Sequence, residues 1–221
     1  MFDVPILFED DFFLILNKPA GLSTQPTLDR KRQNLYEMAK ESGLWKYIGM
    51  HHRLDVPTSG VILFTKREEV NKSVTEMFRN HTITKTYHCL VFGKPTNSEW
   101  VVENFLREIK LPSGKSKMRS VKSGGDKAIT KFSLIEEIKG GALIRAQPQT
   151  GRRHQIRVHL AEGGTPILGD ALYFRIDRKY PRLMLHAESL SFIHPCTRKE
   201  MKIQAPWPDD FQLAYTNNKF I

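Results

Sequence analysis

The chain has 221 residues, of which 40% are hydrophobic and 26% are charged. This balance is typical of a globular protein long enough to bury a sizeable core, and it excludes a disordered or low-complexity chain. The apolar start of the chain contains acidic residues but no basic segment and no cleavage site, so neither a signal peptide nor secretion is expected. The apolar runs are shorter than the roughly 20 residues of a membrane span, which makes the cytoplasm the expected location.

Charge and cysteine content narrow the function classes further. The formal net charge is +10, and cations that neutralise phosphates release counterions, so a polyanionic partner such as a nucleic acid is favoured. Charge alone leaves a merely basic protein as an alternative. Cys89 and Cys196 lie far apart without a second pair, which argues against a disulfide framework and a thiolate metal site.

The order of apolar and turn-forming residues predicts an α+β protein rich in strands. Alternating or β-branched apolar runs bounded by Gly, Pro or Asn favour strands, and apolar residues three or four apart favour helices. No internal repeat or linker is found, so a single domain over residues 1–221 is expected. In chain order, the patterns predict a hairpin around 6–16, a helix over 34–41, a strand over 61–65, a helix over 68–79, strands over 87–92, 131–138, 142–147 and 190–194, and hairpin turns at 140–141 and 196–200.

A basic segment occupies the middle of the chain, over about residues 107–131. It contains only two acids, Glu108 and Asp126, and three glycines that loosen its backbone. This composition predicts a mobile basic insertion, or finger loop, that follows a phosphate backbone. The cations of this segment are Arg107, Lys110, Lys115, Lys117, Arg119, Lys122, Lys127 and Lys131.

Two other charged segments are candidates for a catalytic site. Residues 51–60 immediately precede a predicted strand, where catalytic residues often gather, although Arg53 and Asp55 could equally form a surface ion pair. Residues 150–160 contain three arginines and are followed by Gly163-Gly164, where a short helix would end. Any of these arginines could hold a carboxylate ionised, so the partner of Asp55 is open on physical grounds.

Four strings occur in a fixed order along the chain: His52-Arg53-Leu54-Asp55 with Thr58-Ser59-Gly60, Gly151 to Leu160, Pro166-Ile167-Leu168-Gly169-Asp170, and Leu183-Met184-Leu185-His186-Ala187. With these strings the chain resembles the RluA-type pseudouridine synthases. The resemblance also includes Asn17-Lys18-Pro19-Ala20-Gly21, and it extends from Ile6 to about Pro206. It implies an α+β pseudouridine synthase fold with a mainly antiparallel, mixed sheet, in a short member without an S4-like domain that acts on ribosomal RNA, transfer RNA or both.

The same resemblance implies the chemistry and the roles of individual residues. The reaction detaches uracil from ribose, turns it and rejoins it through carbon, so neither a cofactor nor a metal is expected. Whether the catalytic carboxylate attacks covalently or removes a ribose proton is open. The implied catalytic residues are Asp55, its partner Arg157 and the active-site tyrosine Tyr87, and the implied base-flipping and RNA-binding residues are Arg53, His52, Arg152, Arg153 and Lys127.

Three other functions would also suit a basic protein of this kind. A metal-dependent nuclease is disfavoured because His154 and His159 would lie about 140° apart around a helix, so these histidines, with His52 and His186, are expected to be structural or to face RNA. A catalytically silent RNA-binding module or chaperone would not need Asp55. A glycosidase would need a second positioned carboxylate, which the sequence does not offer. A monomer without protein partners is expected, and the target uridine does not follow from the sequence.

Overall fold

The structure, a computed structural model, describes residues 2–27, 29, 32–112, 114, 116–174 and 180–218. Lys115 of the basic segment lies outside the described residues. The helices are α1 (Leu35–Glu41), α2 (Asn71–Arg79), α3 (Gln155–Glu162) and α4 (Asp209–Thr216), with a short 3-10 helix (Glu68–Val70) before α2. The strands are β1 (Ile6–Glu9), β2 (Phe13–Lys18), β3 (Gly49–Met50), β4 (Ser59–Thr65), β5 (Thr84–Phe92), β6 (Glu99–Lys110), β7 (Ser116–Val121), β8 (Asp126–Ile138), β9 (Gly141–Pro148), β10 (Leu185–Ile193) and β11 (Glu200–Gln204).

Two compact units alternate along the chain. Unit 1 comprises Met1–Lys85 and His186–Trp207, and unit 2 comprises Thr86–Leu185 and Pro208–Ile221. Two of the borders fall inside β5 and β10 and not in linkers. Both units combine strands with helices, as the predicted α+β class requires. A single domain over the whole chain stays a prediction.

Unit 1 is built on a mixed sheet in which β4 is the central strand. β2 pairs antiparallel with β4, and β10 pairs parallel with it at Ser59 and Gly60. β1, β3 and β11 extend this sheet. Side chains two positions apart share a face of a strand, and this spacing brings alternate residues of β2 and β4 into one core beneath α2. That core contains Phe13, Ile15, Val61, Leu63, Val74, Ile83, Leu190, Phe192 and Ala205.

The close approach of β4 to β10 requires a glycine. Gly60 has a φ of +112°, and a Cβ at this position would lie 2.1 Å from the carbonyl oxygen of Ala187. An L-residue would therefore be strained in its backbone and would also separate the two strands. Because Gly60 lies five residues after Asp55, this contact fixes the end of the segment that carries the predicted catalytic carboxylate.

Unit 2 contains an antiparallel sheet in the order β5, β9, β8, β6, β7. Helix α3 packs against this sheet, and Val158 joins Leu106, Met118 and Ala128 in a buried cluster. Helix α4 buries Phe211 and Ala214. The sheet and α3 together fix the backbone positions of the arginines that the sequence nominated.

Most described residues of 107–131 lie in strands, and a mobile basic insertion that follows a phosphate backbone stays a prediction. These residues complete β6, form β7 and begin β8, in antiparallel register. Leu106, Met118 and Ala128 are buried, and they anchor these strands under α3. The many cations of the segment obscured this apolar anchoring in the sequence. We call the described residues of 107–131 the basic hairpin.

Most other predicted elements are confirmed within a few residues. The helix predicted over 34–41 begins after Asn34, whose side chain caps it by accepting a hydrogen bond from the Glu37 amide at 3.0 Å. β3, β6, β7, β11 and α4 were not predicted from the sequence. No helix in the described part of the chain is both long enough and apolar enough to cross a membrane.

Candidate active site

Asp55 lies in the turn that leads into β4. Its carbonyl oxygen accepts a hydrogen bond from the Thr58 amide at 3.0 Å, and the strand begins one residue later. Asp55 is partly exposed, whereas Leu54 beside it is buried. The carboxylate is therefore carried by a turn whose neighbouring residue is anchored in the core of unit 1. We call residues 51–60 the Asp55 loop.

A buried threonine fixes the backbone directly before Asp55. The Thr24 hydroxyl accepts a hydrogen bond from the Leu54 amide at 3.2 Å and donates one to the Leu54 carbonyl at 2.9 Å. Thr24 is 2% exposed, so neither bond is exchanged for water at the surface. The residue before Asp55 thus has both of its backbone polar groups held by one side chain.

A buried lysine fixes the backbone directly after Asp55. The Lys18 ammonium has no exposed surface and donates to the carbonyl oxygens of Pro19 and Leu22, both at 2.8 Å. It also donates to the Val56 carbonyl at 3.4 Å, which the Gly21 amide reaches at 2.8 Å. A buried ammonium is tolerated only with such partners, so the segment after β2 and the Asp55 loop are held together.

His52 supports the Asp55 loop from the other side. Its Nε2 accepts a hydrogen bond from the Leu63 amide at 2.9 Å, and its ring stacks on Phe78 with 4.6 Å between centroids. Burial lowers the pKa of His52 to about 3, with smaller contributions from the neighbouring Lys85 and His51. The imidazole is neutral at pH 7, as its acceptor role requires. A contact of His52 with RNA stays a prediction, as does base flipping by the exposed Arg53.

In unit 2, Arg157 is held by a buried carboxylate that the sequence analysis did not assign. Its Nε and Nη2 donate to the two oxygens of Asp170, both at 2.8 Å, in a bidentate pair. Arg157 is 6% exposed and Asp170 1% exposed. Asp170 also accepts hydrogen bonds from the amides of Leu172 and Tyr173. The guanidinium is therefore fixed in one orientation, and its pairing with Asp55 stays a prediction.

Unit 2 contains two tyrosines of interest: Tyr173 packs against Arg157, and Tyr87 is itself a predicted catalytic residue. The Tyr173 ring lies under the Arg157 guanidinium, 5.1 Å from centroid to Cζ. The Tyr173 hydroxyl accepts a hydrogen bond from the Met118 amide of β7 at 2.8 Å, so the basic hairpin and Arg157 share a support. Tyr87 is half-buried on β5, opposite Ala146 of β9. Its catalytic role stays a prediction.

The Gln155 amide organises the turn that carries Arg152 and Arg153. Its oxygen accepts hydrogen bonds from the Thr150 hydroxyl at 2.7 Å and the Arg152 amide at 3.0 Å. Its nitrogen donates to the Ile129 carbonyl and the Thr130 hydroxyl, both at 2.9 Å. All four hydrogen-bonding positions of this buried amide are used. The turn is thereby attached to β8 next to Lys127.

The structure brings three of the predicted RNA-binding residues to one part of unit 2. Arg152 Nε donates to the Lys127 carbonyl at 3.0 Å, and Arg153 pairs with Glu108 of the basic hairpin. Lys127 pairs with Glu103 at 2.7 Å, and both side chains are about half exposed. Exposed pairs of this kind contribute less than about 1 kcal/mol, so phosphate groups can replace their acidic partners.

The other three histidines that were expected to be structural or to face RNA, His154, His159 and His186, have structural partners. His159 Nδ1 bonds to the Thr130 hydroxyl at 3.0 Å and Nε2 to Asn104 at 2.9 Å, and burial lowers its pKa to about 4. His186 bonds to Ser59 at 2.9 Å, and His154 bonds to Tyr173 at 3.0 Å. Among the described residues, no group of three or more His, Cys, Asp or Glu side chains could hold a metal ion.

Comparison with known proteins identifies the class. Residues 12–162 match the family model described as RNA pseudouridylate synthase. The chain therefore belongs to the RNA pseudouridylate synthase family and is an RNA pseudouridine synthase, an isomerase, as the resemblance of its motifs predicted.

Individual relatives share nearly the whole chain. It is 34% identical to the ribosomal large subunit pseudouridine synthase D of Zymomonas mobilis, over 96% of this chain and 73% of the relative. It is 31% identical to the tRNA pseudouridine synthase C of Vibrio parahaemolyticus, over 97% of this chain and 94% of the relative. The solved structure of human RNA pseudouridylate synthase domain containing 4 is similar with a TM-score of 0.76 and 26% identity, over 97% of this chain and 94% of that one. These comparisons confirm the predicted fold class.

The sequence analysis missed three supporting residues, Thr24, Lys18 and Asp170. Lys18 and Asp170 lie inside strings that carry the family resemblance, and this was the signal that could have identified them. A lysine or aspartate in a loop is usually exposed, however, so neither was expected to be a buried support. Thr24 gave no signal, because its partner Leu54 lies thirty residues away. These residues position the catalytic candidates and were invisible to local patterns.

Proposed function

We propose that the chain converts a specific uridine of structured ribosomal or transfer RNA to pseudouridine, with Asp55 as its catalytic carboxylate. The anchoring of the Asp55 loop on both sides of Asp55 carries this proposal. Catalysis by a charged side chain depends on its being positioned before the substrate arrives, since reorganisation during the reaction would raise the barrier. Relatives named for ribosomal and for transfer RNA support the two substrate classes equally.

The proposed mechanism begins with removal of the uridine from its stack. This costs a few kcal/mol, and Arg53, which is exposed two residues before Asp55, is proposed to fill the vacated space, with His52 positioning the loop beneath it. Lys127, Arg152 and Arg153 hold the RNA backbone by exchanging their exposed acidic partners for phosphates.

Asp55 then acts on the flipped nucleotide, either by covalent attack or by removing a ribose proton. Arg157 is proposed to keep Asp55 ionised and oriented, and the bidentate pair with Asp170 supports this role because it fixes the guanidinium. Tyr87 is proposed to stack on the detached uracil and to serve proton transfer at carbon. The atoms of uridine and pseudouridine are the same, so no cofactor is proposed. A cytoplasmic monomer stays a prediction.

The test is pseudouridine formation on bulk transfer and ribosomal RNA from a strain lacking this protein, with a chelator present. We expect wild type to form pseudouridine and Asp55→Asn to lose at least about a thousandfold in rate while it keeps its fold and RNA binding. Asp3→Asn, which changes an exposed aspartate, is the matched control and should retain full activity. Normal pseudouridine formation by Asp55→Asn would refute the assignment, and tight RNA binding without any product from wild type would favour the silent RNA-binding module.

A further inference from the structure

A cavity in unit 1 borders the Asp55 loop through His51, and its other lining residues have no role in the proposed function. It has a volume of about 430 Å³, within the range of small-molecule sites. Three aromatic rings, two lysines and a histidine line it, and none of its described lining residues is acidic. These lining residues are Tyr36, Trp45, Tyr47, Lys40, Lys46 and His51.

The aromatic walls offer surface for a flat ring. Trp45 is 9% exposed, and its Nε1 donates to Glu9 at 2.8 Å, so this wall is fixed. Tyr36 and Tyr47 are half-buried and line the same cavity. Aromatic side chains of this kind stack on nucleobases, and each stacked base contributes about 1–3 kcal/mol.

The charges of the cavity are positive. Lys40 and Lys46 are exposed at its margin, and Lys40 Nζ lies 5.3 Å from the centroid of the Tyr36 ring on the same helix, α1. A cation beside an aromatic ring matches a ligand that combines a flat base with a negative phosphate.

A series of hydrogen bonds runs from His51 through Thr65 and Asn71 to Tyr47, and it determines which of these groups donate. The Thr65 hydroxyl donates its single hydrogen to Asn71 Oδ1 at 2.7 Å, so His51 Nε2, 3.0 Å from Thr65, must carry a proton and donate to it. His51 Nδ1 then accepts from the Thr75 hydroxyl at 3.1 Å. Burial lowers the pKa of His51, and a hydrogen bond with Asn71 offsets this only in part, in keeping with a neutral ring at pH 7.

This series of hydrogen bonds ends at the Tyr47 hydroxyl. Asn71 Nδ2 donates to the Tyr47 hydroxyl, which therefore acts as an acceptor there and keeps its own hydrogen for another partner. Gly49 allows these groups to converge, because a Cβ at this position would lie 2.3 Å from the Thr65 hydroxyl oxygen. Tyr47, Lys40 and Lys46 thus present donors to the cavity, which selects a ligand rich in acceptors.

We propose that this cavity is a second nucleotide site that binds an unpaired nucleotide of the RNA substrate, with its base against the aromatic walls and its phosphate at Lys40 and Lys46. The inference rests on the proposed function for its choice of RNA. His51 is both a lining residue and the first residue of the Asp55 loop, and four residues of chain reach at most about 14 Å. The nucleotide in the cavity is therefore a near neighbour of the target uridine, and the site contributes to the choice of target.

Binding measurements test the site without relying on catalysis. The probes are single-stranded hexaadenylate RNA and adenosine 5′-monophosphate, and the variants are Tyr47→Phe, Lys46→Gln and the double variant Lys40→Gln/Lys46→Gln. We expect Tyr47→Phe to weaken hexaadenylate binding about three- to tenfold. Each lysine change should lower the slope of log affinity against log salt by about 0.7. Lys202→Gln, an exposed lysine on β11 outside the cavity, is the matched control.

Three results would overturn the inference. If the double variant bound hexaadenylate with the affinity and salt slope of wild type, Lys40 and Lys46 would not contact the phosphate. Both lysines are exposed, so a change in binding would not be explained by misfolding. Ultraviolet crosslinking of bulk RNA that yields no adduct within residues 36–51 would exclude RNA. Weakened binding of adenosine 5′-monophosphate alone, with hexaadenylate unaffected, would assign the cavity to a free nucleotide.

The outcome is separable from that of the proposed function. Pseudouridine formation by wild type together with unaltered RNA binding by the cavity variants would remove the second site and leave the enzyme assignment intact. Crosslinks within residues 36–51 in a protein that forms no pseudouridine would support the second site and remove the assignment.

Discussion

The Asp55 loop and the basic hairpin hold their charged residues in different ways. The groups that support the Asp55 loop are buried, so water cannot take the place of the hydrogen bonds that they make. At the basic hairpin, Lys127 pairs with Glu103 and Arg153 pairs with Glu108, and solvent and salt can screen both of these exposed ion pairs. The first arrangement suits a group that must be in place before the substrate arrives, and the second suits groups that must exchange partners when RNA binds.

This contrast predicts large effects for changes beneath the Asp55 loop. Thr24→Val preserves shape but leaves the Leu54 amide and carbonyl without their partner, so we expect the free energy of unfolding to fall by about 3 kcal/mol. The kcat of pseudouridine formation should fall with little change in KM, because the contacts that bind the RNA remain. Urea denaturation and steady-state kinetics provide the measurements.

Thr197→Val is the control for this change, since Thr197 is exposed on the turn between β10 and β11. If Thr24→Val unfolded at the same urea concentration as the control and kept full activity, the Asp55 loop would not depend on this anchor.

An intermediate effect is expected from pH. The folded pKa of His52, about 3, lies below the ordinary value of 6.5, so between these values the unfolded chain binds a proton that the folded chain does not. Stability therefore falls as pH decreases below about 6.5, by up to about 1.4 kcal/mol per pH unit. His52→Gln keeps an acceptor for the Leu63 amide and cannot titrate in this range, so it should lose about 2 kcal/mol less between pH 7 and pH 5.

Urea midpoints at both pH values measure this difference. His81→Asn is the control, because His81 is exposed at a left-handed position that Asn tolerates. The pKa of His159 is also lowered, so His159 contributes to the loss of stability in acid in both wild type and His52→Gln. Only the difference between these two proteins is therefore informative. Parallel pH profiles for these two proteins would contradict the assigned pKa.

The smallest effect is expected on the basic hairpin. Lys127→Ala removes an exposed ion pair with Glu103 and one candidate phosphate contact, so stability should stay within about 0.5 kcal/mol. Affinity for bulk transfer RNA should fall a few-fold, and the salt slope should decrease by about one. An unchanged slope would remove Lys127 from the phosphate contacts. Lys139→Ala, in the exposed turn between β8 and β9, is the control.

The sequence predicted much of the fold because its signals are local. Apolar periodicity and turn residues located β2, β4, α2 and β9 within a few residues, and Asn34 indicated the start of α1. Local signals failed where charge and burial conflict. The cations of the basic hairpin suggested a loop, although Met118 and Ala128 anchor strands there.

The site could be predicted only in part for a related reason. Asp55, Arg157 and Tyr87 were nominated by motif, but the groups that hold them depend on contacts distant in sequence. Thr24 bonds to Leu54 across thirty residues, and no pattern in either segment indicates this pair. The cavity lined by Tyr47 and Lys46 was not predicted either, since its residues are spread over segments that only folding brings together.

The pairing of β4 with β10 has a consequence for synthesis on the ribosome. His186 lies opposite Ser59, so the central strand of unit 1 lacks this neighbour until more than a hundred further residues have been translated. At about 5–20 residues per second, the exposed edge of β4 waits several seconds or longer. The nascent first segment therefore leaves part of one edge of β4 unpaired during that interval, and its yield in the cell should depend on chaperones that shield such edges.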